Sequence, residues 1–119
     1  MNQIEMKQRT KKYALRIIRL VESLPRTRTA DVLGKQLLRA GTSVGANYRA
    51  ACRARPKADF IAKMGLVEEE ADESLYWMEL LVEAELIGIE RLNSLMAEGN
   101  EILAIIVASI KTARKNRKK

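Results

Sequence analysis

The sequence predicts an all-α fold, an antiparallel up-down-up-down four-helix bundle, and three observations carry that expectation. Its 119 residues are rich in Ala, Leu, Glu, Lys, Arg and Met, while aromatic residues make up only 4%; this is the composition of strong helix formers. Apolar residues return every three or four positions over long runs, the period of a helix with one buried side, and no β-branched run alternates. Six glycines and two prolines punctuate the chain, and the prolines fall in two short links, which force antiparallel neighbours. A chain of this length holds one core, so residues 1–119 are expected to form a single domain.

The first helix is expected over about residues 3–24, because Thr10, Tyr13, Ala14, Ile17, Leu20, Val21 and Leu24 share one side and Pro25 ends the pattern. Arg9, Lys12, Arg16 and Arg19 fall on one flank of it. Thr29 is the expected N-cap of the second helix, about 30–53, with Asp31 in the first turn where the helix dipole favours a negative charge. That helix gathers Leu33, Leu37, Gly41, Val44, Tyr48, Ala51 and Cys52 on one side. Gly41 and Gly45 each cost about 1 kcal/mol of helix propensity relative to alanine, and close backbone packing is the expected compensation. Thr42, Ser43 and Asn47 have two equally ordinary roles, bonding to a neighbouring helix or back to their own.

Pro56 opens a third helix, about 57–86, whose core stripe is Phe60, Met64, Val67, Ala71, Leu75, Met78 and Val82. Gly88 is the expected stop. A fourth helix, about 90–113, places Leu92, Met96, Leu103, Ile106, Val107 and Ile110 inward and leads into a basic tail, Lys111, Arg114, Lys115, Arg117, Lys118 and Lys119. The third helix has a second stripe, Ala62, Leu66, Glu70, Glu73, Trp77 and Leu80, away from its core side. A monomeric bundle has no use for such a stripe, so these six are the expected interface between copies of the chain.

The net charge is +7, with an isoelectric point near 9.8, which points to a polyanionic partner. Its distribution is uneven: residues 1–24, 25–56 and 87–119 are net +4, +6 and +4, whereas 57–86 are net −7. The acidic third helix therefore has basic neighbours with which to pair, and that pairing is one complete account of the charges. The functional account is that Lys35, Arg39, Arg49 and Arg53, opposite the apolar side of the second helix and continued by Arg55 and Lys57, track a phosphate backbone. No aromatic platform, zinc finger or helix-turn-helix specifies bases, so binding to RNA or DNA is expected to be salt-sensitive and weakly sequence-selective.

Enzyme chemistry has few of its usual parts. There is no histidine, which removes Ser-His-Asp and Cys-His arrangements and most zinc sites. The run Glu68-Glu69-Glu70-Ala71-Asp72-Glu73 points around the helix rather than at one ion, so no metal and no cofactor are expected, and no enzyme. The lone Cys52 is expected to be a buried small residue. With no apolar signal core at Met1–Lys7 and no run long enough to span a bilayer, the expected location is the cytoplasm, off the membrane.

Thr42-Ser43-Val44-Gly45-Ala46-Asn47, Asp59-Phe60-Ile61-Ala62-Lys63-Met64, Glu68 through Trp77, and Ile110-Lys111-Thr112-Ala113-Arg114 together resemble a family of bacterial four-helix-bundle proteins. It includes proteins encoded in intervening sequences of large-subunit ribosomal RNA genes, and it looks related to the accessory variability proteins of diversity-generating retroelements. The resemblance implies an antiparallel four-helix bundle, a ring-like homopentamer and no established enzymatic activity. For the retroelement relatives it also implies binding to nucleic acid and to a reverse transcriptase. Asn47 is followed here by Tyr48-Arg49-Ala50-Ala51, where many relatives of the ribosomal RNA branch continue with an acidic residue and a glycine. The leading expectation is a non-enzymatic, homo-oligomeric bundle that binds nucleic acid through basic faces. The alternative is an interaction scaffold for a polymerase, a reverse transcriptase or a ribosomal component, with no nucleic-acid contact of its own.

Overall fold

A computed structural model describes residues 1–117; Lys118 and Lys119 of the basic tail lie outside the described residues. It contains four helices, α1 (Gln3–Glu22), α2 (Arg28–Arg53), α3 (Lys57–Glu83) and α4 (Ile89–Arg117), in a rod of 52 × 21 × 20 Å. Helix α2 packs on α1 and α3, and α4 packs on α3 and α1, so α1 and α3 stand at diagonal corners. The expected bundle is the observed one.

Local chemistry sets the helix ends. Asn2 caps α1 by accepting the Glu5 N–H at 2.8 Å, and the helix ends two residues before the expected Leu24, where the Ser23 N–H turns back to the Leu20 carbonyl and the Leu24 N–H to the Val21 carbonyl. Thr27, not Thr29, caps α2, accepting the Ala30 N–H at 3.2 Å. Helix α3 stops at Glu83 rather than Leu86, and not because of Gly88. Glu85 takes a left-handed conformation, φ 61°, while the Glu85 and Leu86 N–H groups bond to the Val82 and Leu81 carbonyls. This is a Schellman termination with glutamate where glycine is usual. Helix α4 runs on to Arg117, so most of the expected tail is helix.

The core is continuous from Met6 at one end to Leu20, Leu81 and Ile87 at the other. On α2 it takes Leu37, Gly41, Val44, Tyr48 and Ala51 as expected, with Ala30, Gly34 and Ala40, while Leu33 and Cys52 are half-buried. On α3, Ile61, Ser74 and Leu81 lie inside, and Phe60 and Val82 are only half-buried. The inner side of α4 is turned from the expected one. Leu95, Gly99, Ile102 and Ala113 are buried with Leu92, Ile106 and Ile110, whereas Met96, Leu103 and Val107 are half-buried. Apolar residues surround most of α4, so periodicity alone does not choose a side. Gly99 does: a Cβ there would lie 2.6 Å from the Tyr13 hydroxyl and 2.9 Å from Leu75.

The glycines of α2 act as expected. A Cβ on Gly41 would collide with the Ile17 side chain, and one on Gly45 would lie 3.2 Å from Thr10 Oγ1, so α1 and α2 approach closely. Thr42 and Ser43 bond back to their own helix, donating to the Leu38 and Arg39 carbonyls at 2.7 and 2.6 Å. Inside the bundle Ser74 donates to the Ala71 carbonyl at 2.7 Å and receives the Tyr13 hydroxyl at 2.8 Å. Burial pushes the Tyr13 phenol up to about 12.

Candidate nucleic-acid interface

Contact between Gly45 and Thr10 fixes how α1 and α2 meet, and it sets the geometry of the basic surface. Lys7 and Lys11 are one turn apart on α1, Arg49 and Arg53 one turn apart on α2, and each pair shares a helix side. Where the helices touch, the two pairs line one groove of about 260 Å³ together with Gln8. Among the described residues no carboxylate lines it. Among the described residues none of these four cations forms an ion pair.

Other arginines are neutralised within the chain. Arg9, also on α1, reaches α4: its Nε donates to Glu98 at 2.7 Å and its Nη2 to the other Glu98 oxygen at 2.8 Å, with Glu101 at 3.1 Å. The Arg9 hydrogen bond holds the Glu98 carboxyl below its usual range. Arg39 bridges to α3, with Glu73 at 2.6 Å and Glu70 at 3.1 Å. The Glu70 charge, with Glu73 behind it, raises the Arg39 guanidinium further.

The expected α2 stripe is therefore divided. Arg49 and Arg53 come together, Arg39 turns to α3, and Lys35 lines a separate groove beside Glu22 and Asp31. Arg55 sits in the link before Pro56, and Lys57 borders a groove with Phe60 and Ile105. Lys7 and Lys11 were legible as an i, i+4 pair, but their convergence with α2 depends on the packing register of two helices.

Of the residues expected between copies, Ala62 is exposed, Leu66 is 48% exposed, and Glu70, Glu73, Trp77 and Leu80 are half-buried. Glu70 and Glu73 are the partners of Arg39. Tyr76, 52% exposed, meets Trp77 edge to face with ring centroids 5.2 Å apart. The Trp77 indole N–H is enclosed and has no acceptor among the described residues. Among the described residues no three carboxylates or thiols converge as a metal set, and no helix is long and apolar enough to cross a membrane.

No curated protein matches the sequence. Among solved structures, the chain is similar to a protein of unknown function from the S23 ribosomal protein family of Bacteroides thetaiotaomicron. They are 38% identical, the match covers 93% of this chain and 99% of that one, and the TM-score is 0.86. The model of the 23S rRNA-intervening sequence proteins matches residues 2–108. The chain belongs to the 23S rRNA-intervening sequence protein family.

Proposed function

We propose that this protein is a non-enzymatic, multi-copy bundle that binds the phosphate backbone of RNA or DNA through the groove between α1 and α2. The observation that carries this reading is the contrast in charge pairing. Lys7, Lys11, Arg49 and Arg53 share a groove with no carboxylate in its wall, while Arg9 and Arg39 are saturated by Glu98, Glu101, Glu70 and Glu73. Holding four like charges together is unfavourable unless an anion or salt screens them, and a polyphosphate chain neutralises several at once while releasing its counterions. The groove lacks an aromatic ring or an amide pair to read a base, so selectivity for sequence is weak. The family name, with its reference to 23S rRNA, agrees with a nucleic-acid context.

The test compares two variants of equal interest and unequal prediction. Replacing Lys7, Lys11, Arg49 and Arg53 by glutamine lowers affinity for a structured RNA more than tenfold at moderate salt, with helix content unchanged. Arg39→Gln leaves that affinity within a factor of two or so, since its charge is already met. Equal losses in both would show that bulk charge, not this groove, does the binding. Purified protein that ignores RNA and duplex DNA at low salt would remove the reading altogether.

A further inference from the structure

A second concentration of positive charge lies between α1 and α4. Arg16 and Arg19, one turn apart on α1, and Arg91 of α4 line a groove of about 240 Å³ with Leu20 and Leu95, both buried. Neutral groups hold two of these arginines in place. Arg16 Nη2 donates to the Ser94 hydroxyl on α4, and Arg91 Nη2 donates to the Ser23 hydroxyl at the end of α1, both at 2.9 Å. Ser23 gives its own proton to the Leu20 carbonyl at 2.7 Å, so an oxygen lone pair faces Arg91. A serine positions a guanidinium without cancelling its charge and leaves most of its five N–H donors for another acceptor.

The neighbouring carboxylates are engaged elsewhere. Glu22 lines a different groove with Lys35 and Asp31, and the Glu90 carboxylate lies where a Cβ on Gly88 would be. Glu98 feels the Arg16 charge, yet both of its oxygens are taken by Arg9. Glu85 borders a separate groove with Arg91. Among the described residues, Arg16, Arg19 and Arg91 form no ion pair. The C-terminal end of α1 supplies roughly half a negative charge through the helix dipole, which falls well short of three guanidiniums.

We propose that this groove takes the terminal phosphate of a nucleic-acid strand, a phosphomonoester, between the Arg16, Arg19 and Arg91 guanidiniums. This rests on the nucleic-acid reading above and adds to it a second site with its own preference. A phosphate inside a strand offers one charge and two oxygens, whereas a terminal phosphate offers three acceptor oxygens and about −1.5 to −2 charges at pH 7. Three planar donor forks match the end of a strand better than its middle. The groove is smaller than the pockets of about 300–1,000 Å³ that enclose drug-sized ligands, so it suits a phosphate group rather than a whole nucleoside.

The test uses one RNA sequence, labelled internally, in three forms: with a 5′-phosphate, with a 3′-phosphate, and with hydroxyls at both ends. Wild type is expected to bind a phosphorylated form about tenfold more tightly than the hydroxyl form, and the favoured form tells which end the groove takes. In the variant Arg16→Gln with Arg19→Gln and Arg91→Gln all three forms bind alike, within about a factor of two of the wild-type affinity for the hydroxyl form. Circular dichroism confirms that the variant is helical. Arg19→Gln alone, at an exposed position, serves if the triple change loosens α1 from α4, and it should reduce the preference by about threefold.

Equal binding of the three forms by wild type overturns the site and leaves the groove between α1 and α2 standing. A preference that survives the triple change, or a triple variant that weakens all three forms equally, overturns it as well. In the variant with Lys7, Lys11, Arg49 and Arg53 changed to glutamine, affinities fall but the preference persists; its disappearance there would place end recognition in the other groove. Protein that binds none of the three forms removes both readings.

Discussion

The two sides of α1 are built on different principles. Toward α2, contact is close and apolar: Ile17 lies over Gly41, and Thr10 lies over Gly45. Toward α4, long polar side chains reach across, with Arg9 clasped by Glu98 and Glu101, Arg16 on Ser94 at 2.9 Å, and Arg91 returning to Ser23 at 2.9 Å. Beside that close contact, among the described residues, no carboxylate lines the groove of Lys7, Lys11, Arg49 and Arg53, so these cations are left without partners. Where α1 and α4 stand apart, Arg9 fills the gap and is neutralised in doing so. One helix thus assigns Arg9 to architecture and, among the described residues, leaves Lys7 and Lys11 outside any ion pair.

Breaking the close side should have the largest effect on folding. Ile17→Ala removes a fully buried side chain from a surface shaped by Gly41, and a loss of about 2–5 kcal/mol in chemical denaturation is expected; a loss below about 1 kcal/mol would mean that this side is loosely packed. Next comes Gly99→Ala, which pushes a methyl against Tyr13 and Leu75. Overpacking of this kind costs about 1–3 kcal/mol, and Gly65→Ala, with nothing within 4 Å of its added Cβ, is the control that should not lose stability.

The clasped side sharpens the contrast through pH. Glu98 titrates below its ordinary value because Arg9 favours its charged form. Its contribution is therefore complete above the usual carboxylate value of about 4.3 and is lost as pH falls through the lower folded value. Glu98→Gln should cost about 1 kcal/mol at neutral pH, since solvent still screens the pair. The drop in melting temperature between pH 7 and about pH 3 should be smaller in the variant than in wild type; parallel curves would show that the clasp contributes nothing. Smallest of all is Arg39→Gln, whose solvent-exposed pairs with Glu70 and Glu73 should leave thermal melting close to that of wild type.

Sequence periodicity made the helices legible because each link announces itself locally: Pro25 and Pro56 interrupt apolar patterns that cannot continue through them. The close approach of α2 was legible at Gly41 and Gly45, since a glycine pair in a helix interior needs a packing reason. The inner side of α4 was not, because Leu103, Ile105 and Val107 are as apolar as Ile102 and Ile106, and a partner had to choose among them. The candidate site was half legible for a related reason. Arg49 and Arg53 stand out on one helix, but whether a cation meets a carboxylate across a helix boundary depends on register, which sent Arg39 to Glu73 and brought Lys7 and Lys11 to Arg49 and Arg53.

The most direct test of the free-cation groove is the salt dependence of binding to a duplex RNA or DNA, measured for wild type and for the variant with Lys7, Lys11, Arg49 and Arg53 changed to glutamine. Each phosphate contact contributes about 0.9 to the slope of log affinity against log salt for duplex DNA, so losing four should flatten that slope by about 3 to 4 while thermal melting is retained. A slope identical in the two proteins would contradict the assignment of these four side chains to a phosphate backbone.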